Sequence, residues 1–462
     1  MKLFNHQKHI LELLTENDAF MVLCEQGTGK TLPTLIHLSN LYLSGEIKDA
    51  LIIAPKSGLG AWERDTDKLS PTRAKLIREN TTLINYDKLS RTKSKWREMC
   101  NKEWGCVILD EGHAIAKPTS NRTQYIIGKG KFSGLNARAK YRYILTGTLI
   151  TNGRYEDMWS PLRFINPAYM TYNEFKVRYL KTFQLPQTYV DIVVGYKHVD
   201  ELLSQVANIS FRVTKDDCLD LPEQLPDEVI KVPWSDKKNA LPFSKKTYPL
   251  YAEALDSYIE AIDLISDIPL TRLLRMREIA TGHIKESDTL NAQGKKVKGQ
   301  TYLLNSDKPA YCLELIENNL PNKTVIFYHF QASCDVMAQL LTKNKISFVI
   351  LNGAQKDKNI WRKFQEDESI KVIIVQYQSG SSAIDLFASS FTIFYEPTDS
   401  STILEQARSR THRNGQNHPC NYVFLIAENS IEEDMYKRLS SYEDFNEKTY
   451  REVVRRRNNE QN

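Results

Sequence analysis

The chain has 462 residues, 41% hydrophobic and 26% charged, the balance of an ordinary soluble protein, which excludes a disordered or collagen-like polymer. Lys and Arg total 62 against 57 Asp and Glu, so the net charge of +5 permits a nucleic-acid partner without arguing for one. No run approaches the ~18 apolar residues of a membrane helix, and Met1 to His6 holds no signal-peptide core, so no membrane partner is expected.

Short apolar runs bounded by turn residues come first: Phe20 to Cys24, Ala50 to Ala54, Cys106 to Leu109 and Tyr143 to Leu145. Such runs read as buried parallel strands, and the helical pattern Leu32 to Leu43 lies between the first two. Strands alternating with helices predict an α/β domain. From Arg154 to about Thr281 strand-like runs become few, while Leu250 to Ile265 and Leu270 to Ile279 have helical spacing. Gly282 to Gln300, with Lys295, Lys296 and Lys298, reads as a polar loop. Strand runs return at Thr324 to Phe327, Ser347 to Leu351, Val372 to Val375, Phe391 to Phe394 and Tyr422 to Ile426, a second α/β domain. Cys24, Cys100, Cys106, Cys218, Cys312, Cys334 and Cys420 are scattered without a CxxC pair, which predicts free thiols in a reducing compartment.

Glu25-Gln26-Gly27-Thr28-Gly29-Lys30-Thr31 directly follows the first strand and opens a helix. Backbone N–H groups of a glycine loop at a helix N-terminus cradle phosphates. Lys30 can reach the β- and γ-phosphates, and the Thr31 hydroxyl can hold Mg²⁺. The strict motif has Gly six residues before the lysine, where this chain has Cys24. A glycine-rich turn without ligand is the plainer alternative. Asp110-Glu111-Gly112-His113 ends a strand, which places Asp110 to hold Mg²⁺ and Glu111 to polarise water. Thr146 and Thr148 end another strand and can sense a γ-phosphate or bind a nucleic-acid phosphate. Arg410 and Arg413 are three apart, so on a helix they share a face suited to a phosphoryl transition state.

The order of these motifs resembles the superfamily 2 helicases and, within them, the Swi/Snf-type DNA-dependent ATPases, from about Lys2 to Glu433. Gln406-Ala407-x-x-Arg410-x-His412-Arg413-x-Gly415-Gln416 carries the resemblance most specifically, and its final glutamine is unlike the arginine of DEAD-box enzymes. The resemblance implies that Gln7 contacts adenine, that Gln406 joins Gly27, Thr28, Gly29 and Lys30 in binding nucleotide, and that Arg410 and Arg413 act in catalysis with Lys30 and Glu111. It assigns Lys56, Ser57, Thr146, Thr148, Ser379 and Gly380 to nucleic acid, and His113 and Gln416 to coupling. Leu51 to Ser57 followed by Trp62 looks like the family's second motif, which touches DNA backbone, and Asn85 to Leu89 like the next strand-end motif. Arg212 to Asp217, Lys323 to Phe330 and Asn352-Gly353 resemble the link to a helical protrusion and the opening of the second lobe. Leu149 replaces a usual proline, Val213 a second arginine, and Ala383 and Asp385 the family's Gly and Asn. A carboxylate at Asp385 near phosphate is repulsive unless it is paired.

The expected fold is α/β, with two RecA-like parallel-sheet lobes and a mainly helical insertion between them. Residues 1–165 form the ATP-binding lobe, 166–300 the insertion and linker, 301–445 the second lobe and 446–462 a basic polar tail. The expected activity is ATP hydrolysis with Mg²⁺ by a monomer that translocates on duplex DNA without sequence preference, in replication, repair or recombination. No strand-splitting pin is identifiable. The alternatives are an RNA helicase of the same superfamily and a non-hydrolysing ATP-binding scaffold. The expected location is the cytoplasm of a prokaryote or of a virus-infected cell, or the nucleus of a eukaryote. Arg408, in the same run but outside the matched pattern, is expected to be dispensable.

Overall fold

Apolar runs without polar alternation are strands buried on both faces, and two sheets of the protein are built from them. The computed structural model describes residues 3–56, 58–91, 98–130, 132–147, 149, 154–184, 191–218, 220–234, 269–285, 289–290, 296–297, 301–304, 306–355, 357, 359–380 and 384–441. The chain divides into two units, Met1–Asp220 and Leu221–Asn462.

The first unit opens with α1 (Asn5–Glu16), β1 (Ala19–Cys24), α2 (Thr31–Leu43), β2 (Ala50–Ala54) and α3 (Leu59–Asp67). Strands β3 (Thr81–Asn85), β4 (Trp104–Asp110) and β5 (Ala139–Leu145) follow, then an antiparallel hairpin of β6 (Leu180–Gln184) and β7 (Asp191–Tyr196), and β8 (Ser210–Val213). Six of these form one parallel sheet in the order β3-β2-β4-β5-β1-β8. Alternate residues enter separate cores: Met21, Ile53, Leu109 and Ile144 on one face, Val22, Ile52, Ile108 and Leu145 on the other. Leu35, Leu38 and Leu41 of α2 line up at helical spacing and join the second core. Each such side chain contributes about 1.5–3 kcal/mol when fully buried. Asp110 pairs with Leu145, and Leu145 with Val22. Strands β4, β5 and β1 therefore bring their following loops to one edge of the sheet, the place where parallel sheets bind ligands.

The second unit begins with β9 (Glu228–Val232) and the helix Pro269–Ala280. Short strands β10 (His283–Lys285), β11 (Thr289–Leu290), β12 (Lys296–Val297) and β13 (Thr301–Leu303) pair as two small antiparallel ladders, β10 with β13 and β11 with β12. Strands β14 (Thr324–Tyr328), β15 (Phe348–Leu351), β16 (Val372–Gln376), β17 (Phe391–Phe394) and β18 (Asn421–Ala427) complete a parallel sheet ordered β15-β16-β14-β17-β18-β9. Its interior holds a matched ion pair. The Lys308 ammonium lies 2.8 and 2.6 Å from the two Glu432 carboxylate oxygens, and Glu432 also accepts the Ala427 N–H at 2.7 Å. Each charge thus keeps partners away from water.

Of the stretch 166–300 expected as an insertion, the described residues divide between the two units. Its first part belongs to the first unit, and β8 and β9 are edge strands of the two sheets. Residues of β6 and β9 are largely exposed, so they lack the apolar runs that marked the central strands. The helix Pro269–Ala280 stands where helical spacing put one, whereas Leu250 to Ile265 and residues 446–462 lie outside the described residues. Gly282 to Gln300 is not simply a loop, since it carries β10, β11 and β12. All seven cysteines are free thiols. Among the described residues no helix is long and apolar enough to cross a membrane.

Candidate functional site

The loop Glu25 to Lys30 connects β1 to α2, with Gly27 at φ 91° and Gly29 at φ 82°, a left-handed backbone that glycine adopts without cost. The buried Lys30 ammonium donates to the carbonyl oxygens of Cys24 (2.6 Å) and Glu25 (3.2 Å), and the Thr28 hydroxyl donates to Glu25 O at 2.8 Å. Two α1 side chains seat the loop from outside. Gln7 Nε2 donates to Gly29 O at 3.0 Å, and His6 Nε2 lies 2.8 Å from Thr28 O. A Cβ at position 29 would come within 2.5 Å of Gln7 Nε2. Gln7 thus touches the loop backbone. On the far side Glu25 N–H donates to Val213 O at 3.1 Å, and the Glu25 carboxylate accepts Lys215 N–H at 3.1 Å. Thr31, the first residue of α2, sits at the positive end of the helix dipole.

Asp110 and Glu111 follow β4, one strand beyond β5 from the phosphate loop. The half-buried Asp110 carboxylate accepts the indole N–H of Trp62 at 2.8 Å and the Glu111 N–H at 3.1 Å. Burial pushes its carboxyl up to about 6, and the Glu111 carboxylate adds to the rise, against the opposing Trp62 N–H and Lys30 ammonium. Glu111 has a left-handed backbone (φ 52°, ψ 57°). Its Oε1 accepts the Gln26 amide N–H at 2.9 Å, and its Oε2 lies 3.4 Å from His113 Nδ1. His113 Nδ1 is also 3.3 Å from the Thr146 hydroxyl. A line of polar contacts thus runs Gln26–Glu111–His113–Thr146 across three strand ends. Such an arrangement can hold phosphates, a hard cation and a water activated by a carboxylate.

In the second unit the helix Ser401–Thr411 carries Gln406, half-buried, and Arg410, which is 7% exposed. Arg413 lies beyond the end of that helix, so the two arginines do not share a helix face. His412 leaves helical dihedrals (ψ 86°), and Gly415, at φ 103° with the Phe387 ring where a Cβ would sit, completes the turn. Arg413 donates to Ile384 O at 3.0 Å and pairs with Asp385 at 2.5 Å, so the carboxylate that departs from the family pattern is paired. Gln416 is wholly internal. Its amide N–H groups face the carbonyls of Phe387, Ser389 and Thr411, and its oxygen accepts from Asn417 and His418. His412 Nε2 lies 2.8 Å from Pro222 O. Arg408 is not idle: it donates to Asp227 at 2.6 Å and lies over the Tyr422 ring.

The structure brings Gln7, Gly27, Thr28, Gly29, Lys30, Thr31, Asp110, Glu111, His113 and Thr146 to one sheet edge of the first unit. Thr146 is fully buried, its hydroxyl 3.3 Å from His113 Nδ1. Trp62 is also buried, and its indole N–H donates to Asp110. Lys56 is exposed after β2, and Ser379 and Gly380 follow β16 in the short helix Tyr377–Gly380. Ser57 and Thr148 lie outside the described residues. Gln26, His6 and the indole of Trp62 escaped the sequence reading. Gln26 stood inside the quoted loop, so its polar side chain was the available signal.

Comparison with known proteins gives a consistent picture. The SNF2-related domain profile matches residues 6–253, more than half the chain, and a helicase conserved C-terminal domain matches residues 307–415. An uncharacterized ATP-dependent helicase of Mycoplasma pneumoniae is 25% identical over 431 residues, covering 88% of this chain and 38% of that protein. The DNA repair and recombination protein RAD54-like of Drosophila ananassae is 24% identical over 469 residues, covering 90% of this chain and 57% of that protein. The chain thus spans about half the length of the relatives it matches. The solved structure of the Sulfolobus solfataricus SWI2/SNF2 ATPase core in complex with dsDNA is similar at 22% identity and a TM-score of 0.40, over 96% of this chain and 91% of that one.

Proposed function

Because the chain belongs to the SNF2-related family, we propose that it is an ATP-hydrolysing motor that moves along duplex DNA. One observation carries the reading: a glycine loop opening α2 shares a sheet edge with the consecutive carboxylates of Asp110 and Glu111. The loop N–H groups and the α2 dipole favour the phosphates of ATP. Lys30, resting on two loop carbonyls, turns its ammonium to the β- and γ-phosphates. Glu111 orients the attacking water and takes its proton. Arg410 and Arg413, from the second unit, spread the charge of the transferring phosphoryl group.

The residues present fit Mg²⁺. Thr31 and Asp110 offer the hard oxygen ligands it prefers, and Asp110, crowded by Glu111, gains from a nearby cation. Bound there, the ion would neutralise charge on the β- and γ-oxygens. Duplex DNA is the proposed track, contacted through its phosphates at Lys56, Ser57, Thr148, Ser379 and Gly380. The Drosophila relative is a repair and recombination protein, and that class of role is the one we carry over.

ATP turnover is to be measured without nucleic acid and with single-stranded DNA, duplex DNA or RNA. Duplex DNA should stimulate most, equally for unrelated sequences, and stimulation should fall steeply between 50 and 200 mM salt, as about six phosphate contacts would require. Stronger stimulation by RNA would replace this reading with an RNA helicase. Nucleotide binding without turnover would replace it with a scaffold.

A further inference from the structure

We propose that Gln26 is a positioning residue of the hydrolytic site, holding the Glu111 carboxylate to the phosphate loop. The proposal rests on the reading of Glu111 as the base. Gln26 and Glu111 are 85 positions apart in the chain, and the Gln26 amide N–H reaches Glu111 Oε1 at 2.9 Å. The anchor has a firm footing. A Cβ at Gly147 would come 3.3 Å from Gln26 N and 3.4 Å from Glu25 Cα, so the loop backbone runs against the turn after β5. Glu25 in turn donates its N–H to Val213 of β8. The backbone before the amide is therefore held from both neighbouring strands.

The carboxylate needs such an anchor. Glu111 has a left-handed backbone, uncommon for a residue other than glycine, at the end of β4. His113 approaches Oε2 at 3.4 Å, longer than a good hydrogen bond. Gln26 supplies the shorter contact, on the other oxygen. A neutral amide suits the task, because it donates to the carboxylate without competing for the proton of the attacking water. It also ties the direction of the base to the loop that holds the phosphates, so loop and base move together.

The test uses the full chain with Mg²⁺, ATP and saturating duplex DNA. Gln26→Met keeps the length and removes the donor. It should lower kcat about ten-fold or more, the effect of losing a hydrogen bond to a charged group, with KM for ATP and the affinity for ADP within about two-fold. Gln26→Met combined with Glu111→Gln should be no slower than Glu111→Gln alone, because the two act as one unit. Parent kcat in Gln26→Met beside an inactive Glu111→Gln overturns the proposal alone. So does a loss of ADP affinity in step with kcat, which would make Gln26 a brace of the loop. Parent turnover in Glu111→Gln overturns the base assignment itself, and Gln26 falls with it.

Discussion

Replacing Trp62 with Phe tests how the Asp110 carboxylate is kept ionised. The indole N–H donates to Asp110 Oδ2 at 2.8 Å and is one of the groups opposing the rise of that carboxyl to about 6. A hydrogen bond to a charged group contributes about 1.5–3 kcal/mol, and one pH unit corresponds to about 1.4 kcal/mol, so its loss should raise the Asp110 carboxyl by about one to two units. The ionised form is the active one, so activity is lost as pH falls through that value. At pH 7 the ionised share would fall from roughly nine tenths to between a half and a tenth, a two- to ten-fold loss. The assay is kcat/KM for ATP against pH, which reports groups of the free enzyme. The acid limb should move from near pH 6 to about 7–8. Phe leaves a small cavity, so the thermal midpoint is followed in parallel. A folded Trp62→Phe protein with an unmoved acid limb would refute the reasoning.

Arg413→Lys keeps the charge but loses the planar fork that meets Ile384 O and Asp385. Single-turnover hydrolysis should fall roughly 10³-fold with nucleotide affinity little changed, and parent turnover would remove Arg413 from the site. Lys30→Ala should weaken ADP binding as well as turnover, as read by a fluorescent ADP titration. Arg408→Ala breaks a largely buried pair with Asp227 and a ring contact with Tyr422, so urea unfolding should show a loss of about 2 kcal/mol. An unchanged midpoint would refute this stabilising role.

The central strands were legible because they are buried on both faces. Ala50–Ala54 and Phe391–Phe394 have the bounds their apolar runs predict. Edge strands were not: β9 exposes most of its residues and offers no run to read. The phosphate loop and the Asp110-Glu111 pair were legible because their chemistry depends on local spacing. Arg410 and Arg413 illustrate the opposite case. Their spacing suggests one helix face, but the helix stops at Thr411, and the signal lay in Asn414-Gly415, a turn dipeptide that follows. Trp62 and Gln26 reach carboxylates 48 and 85 positions away, contacts that no local pattern encodes. Thr146 looked like a strand-end hydroxyl open to a ligand, and only the packing after β5 buries it.

Strand β8 has a practical consequence for dissecting the protein. It is the outer neighbour of β1, and it also receives the Glu25 N–H. A fragment ended at residue 165 would bare one whole side of β1, whose Ala19–Cys24 stretch is apolar throughout. Unpaired ladder groups on such a strand recruit strands from other chains, so that fragment would aggregate. Glu25 would lose its contacts with Val213 and with Lys215, leaving the phosphate loop slack on that side. A fragment carried through residue 220 retains the strand, the loop contacts and a closed ladder beside β1.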